Sequence, residues 1–243
     1  MQSILITGGA GYIGIHTALT FLEKGFNVII IDSFSNSSRK SIDRLLEIAS
    51  SSNKFTSNQI NFFEGDVRDI NFLRNVFRQS LISGNYIDAV VHFAGLPCDM
   101  DPIIKLCNKN KLHLIEDSAE TLGAKYKGKF TGSFGLGCFS FFPTKNITTT
   151  EGGMLTTNDK KVYDYVKKLI AHGIDKSIKS NFWHREAVLP GHNFRMPNHL
   201  AAMGYLQLKK IKKFNKARNN IASLYNSKLS KITNKIKIPY IPK

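Results

Sequence analysis

SILITGGAGYIG, residues 3–14, runs from a short apolar stretch into glycines at positions 8, 11 and 14. Ser3 to Thr7 has strand character, and beyond Gly14 the apolar residues Ile15, Leu19 and Leu22 keep helical spacing as far as Lys24. The passage reads as strand, tight loop, helix. Glycines so spaced let the backbone approach a pyrophosphate and let helix pack on strand, while the helix amino end offers N–H groups and a favourable dipole to the anion. A second strand, Asn27 to Ile31, ends at Asp32, whose carboxylate can accept from ribose hydroxyls and disfavours a 2′-phosphate. NAD is therefore expected over NADP. A third strand, Gln59 to Phe63, runs into Gly65 and Asp66, and a fourth, Asp88 to Phe93, into Ala94 and Gly95, with helical stretches between. The order βαβαβαβ predicts a doubly wound, mostly parallel α/β sheet.

Four motifs of this half fall in order: TGGAGYIG at 7–14, Asp32 with Asn36 nearby, GDVRD at 65–69 and HFAGL at 92–96. Together they resemble the UDP-glucose 4-epimerase group of extended short-chain dehydrogenases, over about residues 1–96. The resemblance implies NAD with Gly8, Gly11, Tyr12, Ile13 and Gly14 at its pyrophosphate and Asp32 at the ribose. It also implies Asp66 and Val67 at the adenine, and Phe93, Ala94 and Gly95 beside the cofactor. That family's chemistry uses a Ser or Thr with a Tyr-x-x-x-Lys on a helix. Tyr163 and Lys167 match the spacing, but they follow the Lys145 stretch on a lysine-rich helix and read as a solvated face. The epimerase half is expected to lack its catalytic and sugar-binding parts.

From Pro97 the text changes. Asp99 or Asp101 is expected to cap a helix by accepting first-turn N–H groups, and Leu112 to Ile115 forms a strand ending in Glu116, Asp117, Ser118, Ala119 and Glu120. A further strand, Cys138 to Phe142, brings up Ser140 and Lys145, and Glu151 to Met154 opens another. Schiff-base chemistry needs a lysine beside a carbonyl, a carboxylate that keeps a pyridine nitrogen protonated, and donors for a phosphate. Lys145, Asp117 and Ser140 supply those groups.

Five ordered motifs, IEDSAE (115–120), YKGKFTGSFG (126–135), SFFPTKN (140–146), TEGGM (150–154) and GHNFRM (191–196), resemble the pyridoxal-phosphate sugar aminotransferases. The resemblance implies Lys145 as Schiff-base lysine and proton shuttle, Asp117 as partner of the pyridinium nitrogen and Glu120 against the ring face. Ser140 is implied on the phosphate, and Asn193 on the phosphate of a neighbouring subunit's cofactor, hence a homodimer. The reaction implied moves an amino group from glutamate to a keto group of a nucleotide-linked sugar, in polysaccharide biosynthesis. The family's amino-terminal arm and phosphate cup are replaced by epimerase-like sequence, and at Ile241-Pro242-Lys243 the family would continue into the rest of its small carboxyl-terminal domain, so a truncated pocket is expected. VHFAGL, 91–96, fits both families, so two segments are expected, 1–96 and 97–243, with the junction within 91–96.

The net charge of +16 is concentrated in the tail, since no Asp or Glu follows Glu186. Such a field draws anions, nucleotide sugars among them; nucleic acid is disfavoured, because no helix-turn-helix or aromatic-interleaved pattern accompanies the lysines. No apolar run approaches the roughly 20 residues needed to cross a bilayer. A cytoplasmic protein is expected, with Cys98, Cys107 and Cys138 forming neither a disulfide framework nor a zinc site, and His172, His184, His192 and His199 lacking ligand spacing. Three functions are open: a truncated aminotransferase, an NAD-dependent epimerase-type protein without its Tyr/Lys pair, and a rearranged, non-catalytic product.

Overall fold

A computed structural model describes residues 2–93, 99–175 and 186–232. The chain alternates β1 (Ser3–Thr7), α1 (Tyr12–Glu23), β2 (Asn27–Asp32), α2 (Lys40–Ser51), β3 (Ile60–Glu64), α3 (Ile70–Ile82), β4 (Ile87–Phe93) and α4 (Met100–Asn110). It continues through β5 (His113–Asp117), a hairpin of β6 (Lys125–Tyr126) and β7 (Lys129–Phe130), β8 (Leu136–Ser140), β9 (Gly153–Thr156) and α5 (Lys160–Leu169). Helices α6 (Asn198–Leu208) and α7 (Ile211–Ile232) follow. Two compact units result: residues 1–140 with 153–195, and residues 141–152 with 196–243.

The first unit is built on a seven-stranded sheet in the order β3-β2-β1-β4-β5-β8-β9, parallel except for β9, which pairs antiparallel with β8. The doubly wound parallel sheet expected from the sequence is therefore present. Its strands follow from apolar, β-branched runs without alternation, of which β2 (NVIIID) is buried at every position, as a strand covered on both faces must be. Alternate side chains divide between two cores. Ile4, Ile6, Val28, Ile30, Ala89 and Val91 meet α1 and α2 residues such as Ala18, Leu22, Ile42 and Leu45 on one face.

On the other face Leu5, Ile29, Ile31 and Val90 form one cluster with Leu73, Val76 and Phe77 of α3 and with Met100, Ile103 and Cys107 of α4. Leu114 of β5 belongs to the same cluster. Side chains from before and after the sequence change at Pro97 thus share one apolar core. Each fully buried aliphatic side chain there contributes about 2 kcal/mol relative to exposure.

Two local expectations need correction. Asp99 precedes α4 but makes no side-chain cap; its carboxylate takes the Tyr126 hydroxyl instead, and Asp101 pairs with Lys127. The β6–β7 hairpin, six residues from Lys125 to Phe130, competes for these carboxylates and wins with hydroxyl and ammonium donors. The strand expected over 138–142 is β8, 136–140, because Phe141 turns into the following loop, where its carbonyl accepts from Thr149 N at 2.9 Å.

Candidate active site

Parallel strands all end on one rim of the sheet, and in open α/β sheets ligands bind outside those carboxyl ends. Here the rim carries Gly8 after β1, Asp32 at the end of β2, Asp66 after β3, Asp117 at the end of β5 and Ser140 at the end of β8. The glycine loop is close-packed: a Cβ on Gly14 would lie 2.6 Å from both Gly8 O and Gly9 Cα. Gly11 is the N-cap of α1 and offers no side chain, and the first turn holds no acid, so nothing of the helix's own opposes an anion there.

Asp32 is buried, and both its oxygens are engaged within the chain. Oδ2 accepts from Ala10 N at 2.9 Å, while Oδ1 accepts from Phe34 N at 2.9 Å and Ser37 Oγ at 2.6 Å. The carboxylate therefore ties the glycine loop to β2. A cleft of about 320 Å³ beside it is lined by Gly8, Gly11, Asp32, Ser37, Asp66 and Val67. Asp66 is clasped by the Arg68 guanidinium, whose Nε lies 2.9 Å from both carboxylate oxygens and which holds the carboxyl below its usual range. Tyr12 and Ile13 are exposed at the start of α1. Phe93 closes β4, and Ala94, Gly95, Cys98 and His184 lie outside the described residues.

At β5, strand alternation sends neighbouring carboxylates to different surroundings. Glu116 is 4% exposed and accepts three backbone N–H groups, from Gly132, Phe134 and Gly135, each at 2.8 Å. Asp117, half-buried at the rim, accepts from Ala119 N at 3.0 Å, and Ser118 N donates to Cys138 O at 2.8 Å. This second bond ties the turn after β5 to β8. Burial, and then the negative charges of Asp117 and Glu116, push the Cys138 thiol above its ordinary pKa. Ser140 is half-buried and pairs with Gly153 of β9; Glu120 is exposed. Asn193 is exposed and bridges Ala171 through the backbone.

Lys145 belongs to the second unit, in the loop 141–152, and is half-buried. Its backbone N donates to Phe142 O at 3.0 Å, and Phe141 N closes the loop by donating to Gly152 O at 2.9 Å. Tyr163 and Lys167 do form a solvated helix face: α5 buries no residue, and the Tyr163 ring has the ammonium groups of Lys160 and Lys167 at 5.8 and 5.7 Å from its centroid. Among the described residues no histidine, cysteine or carboxylate group is arranged to hold a metal, and no helix is long and apolar enough to cross a membrane.

Within the first unit the rim carries groups of the kind a pyridine nitrogen and a phosphate would take, a carboxylate held in a turn, Asp117, and a hydroxyl, Ser140. At the cleft beside Asp32 the glycine turn is packed on itself, so that position 14 admits no Cβ. Glu116 escaped the sequence reading, although strand alternation separates it from Asp117.

Comparison with known proteins finds two family models on the chain. Residues 5–98 match a family model of GDP-mannose 4,6 dehydratase, and residues 89–243 match that of the DegT/DnrJ/EryC1/StrS aminotransferase family. A GDP-perosamine synthase of Escherichia coli O157:H7 is 41% identical over 143 residues, which are 58% of this chain and 38% of that protein. A GDP-perosamine synthase of Caulobacter vibrioides is 40% identical over 152 residues, 62% of this chain and 40% of that one. The chain thus spans about two fifths of the length of these curated relatives. Among solved structures, PseC of Helicobacter pylori, an aminotransferase of pseudaminic acid biosynthesis, superposes with a TM-score of 0.65 at 26% identity. That likeness covers 95% of this chain and 52% of PseC, so it takes in the dehydratase-like segment too. The chain belongs to the DegT/DnrJ/EryC1/StrS aminotransferase family, and ahead of that segment it is similar to GDP-mannose 4,6 dehydratase.

Proposed function

We propose that the chain takes part in pyridoxal-phosphate-dependent transfer of an amino group, from glutamate, to the keto group of a nucleotide-linked sugar in cytoplasmic polysaccharide biosynthesis. The observation that carries this is the family match over 89–243, within which Asp117, Ser140 and Lys145 all fall. The relatives named GDP-perosamine synthase support a nucleotide-sugar substrate. When bound, pyridoxal phosphate supplies an electron sink for the carbon that bears the amino group.

The chain's own residues do the rest. Lys145 Nζ holds the group and moves the proton at that carbon. The Asp117 carboxylate would accept a hydrogen bond from the pyridinium N–H and so favour the ring's charged state. Ser140 Oγ donates to the phosphate, Glu120 lies along the ring, and Asn193 reaches the phosphate held by a second copy in a homodimer. The basic carboxyl-terminal region draws the anionic substrate. We take the junction of the two segments to lie within 91–96.

The test is a visible absorbance band on adding pyridoxal phosphate that is lost in Lys145→Ala; no band in either protein refutes the reading. A second reading keeps a weak NAD site at the glycine loop, favoured by the cleft lined by Gly8, Asp32, Asp66 and Val67. It is tested by calorimetric titration with NAD, and epimerase turnover is not expected, for want of a placed Tyr/Lys pair. The shared apolar core speaks against a chain that fails to fold.

A further inference from the structure

We infer that Gln207 is the positioning residue of Lys145, with Arg218 as its second hold; the inference rests on the reading of Lys145 given above. A lysine amine can be aimed no better than the backbone from which its four methylenes start, and functional groups work within about 0.5 Å of the productive place. Loop 141–152 has no regular ladder to fix that backbone. Besides a few bonds of its own, it is held by side chains of α6 and α7, all within the second unit.

Gln207 Nε2 donates to Thr148 O at 2.5 Å while Gln207 Oε1 accepts from Thr148 N at 3.2 Å. One side-chain amide thus satisfies both polar groups of one backbone residue. Thr148 is itself bound into the loop, its Oγ1 donating to Phe141 O and accepting from Thr150 N, both at 2.9 Å. Beside it Thr149 is fully buried, and its Cγ2 would lie 2.8 Å from a Cβ on Gly204, one turn before Gln207 on α6. On the other flank Arg218 Nη2 donates to Asn146 O at 3.1 Å, and Asn146 Nδ2 to Asn215 Oδ1 at 3.5 Å. The gripped residues, Asn146 and Thr148, stand next to Lys145 and three beyond it.

This pairing is specific to an amide. A methionine of the same length has no donor and only a weakly accepting sulfur, and an ionised glutamate has acceptors alone, which would oppose Thr148 O; a protonated glutamate regains the donor. The experiment compares the unaltered chain with Gln207→Met and Gln207→Glu by cyanoborohydride capture of pyridoxal phosphate on Lys145, read by peptide mass between about pH 5 and pH 8. Hydrogen exchange of 145–149, with the strands of the first unit as folding control, is followed in parallel.

Capture in Gln207→Met is expected to fall about tenfold at every pH. In Gln207→Glu it falls at the upper end and recovers, relative to the unaltered chain, as pH drops and the carboxyl gains its proton. A role in folding alone would not reverse with pH in this way. Should Gln207→Met unfold the second unit, Arg218→Lys is the further variant, expected to lower capture about threefold. Capture in Gln207→Met or Arg218→Lys equal to that of the unaltered chain, or a flat pH ratio for Gln207→Glu, overturns the inference and leaves the reading of Lys145 intact. No capture at Lys145 in the unaltered chain overturns that reading, and the inference with it.

Discussion

Removing the Glu116 carboxylate should damage the rim of the sheet more than removing any exposed carboxylate. Three backbone donors, Gly132 N, Phe134 N and Gly135 N, converge on this one buried side chain at 2.8 Å. In Glu116→Ala all three lose their acceptor, Gly132 in a buried place and Phe134 and Gly135 in partly buried ones, and an unsatisfied buried donor costs roughly 1–3 kcal/mol. Allowing for partial relaxation, the loss is about 4 kcal/mol, or a fall of about 10 °C in Tm for a chain of this size.

Glu116→Gln discriminates further, because the acceptors are divided: Phe134 and Gly135 share Oε1, and Gly132 alone uses Oε2. A glutamine can keep its oxygen toward the pair, which sets its NH2 against Gly132 N–H, donor facing donor. The expected cost is about 2 kcal/mol, intermediate between wild type and alanine. Urea unfolding gives the energies, and hydrogen exchange locates them, with the 132, 134 and 135 amides speeding up most. Glu116→Gln as stable as wild type, or exchange at those amides unchanged in Glu116→Ala, would refute the reasoning.

Ile103→Ala should cost about 3 kcal/mol and weaken amide protection in β1 and β2 as well as in α4, because Ile103 shares its cluster with Leu5 and Ile29; two separate unfolding transitions would contradict a shared core. Cys107, whose thiol is pushed up to about 11 by burial, should resist alkylation at pH 8 until the chain unfolds. Its unfolded thiol ionises near about 8.5, so the stability tied to the neutral form is whole below that pH and declines as pH rises toward the folded value. Gly14→Ala should lower Tm and abolish any NAD heat in calorimetry, since its Cβ has Gly8 O and Gly9 Cα at 2.6 Å; unchanged binding would show that the loop can yield.

The sheet was readable because its signals are local. Runs such as VIII in β2 can be satisfied only by a strand buried on both faces, and the glycines at 8, 11 and 14 announce the turn into α1. What escaped depends on partners remote in sequence. Asp99 looks like a helix cap until Tyr126, 27 positions on, takes its carboxylate. Gln207 sits on a helix like any polar residue, and its partner is a backbone unit 59 positions away. Glu116 was within reach: with Asp117 at the rim, alternation puts Glu116 on the other side of β5, where a charge has to find donors.

β4 stands in the middle of the sheet, hydrogen-bonded to β1 on one side and β5 on the other, and the two family matches overlap across it, at 89–98. A crossover between genes that falls in such a strand leaves each segment with its own helices and loops, and asks of the newcomer only strand spacing and handedness. The same rule gives a recipe for chimeras: recombine α/β proteins inside a central parallel strand, where neighbours from both parents hold the joint, rather than in a surface loop, where nothing does.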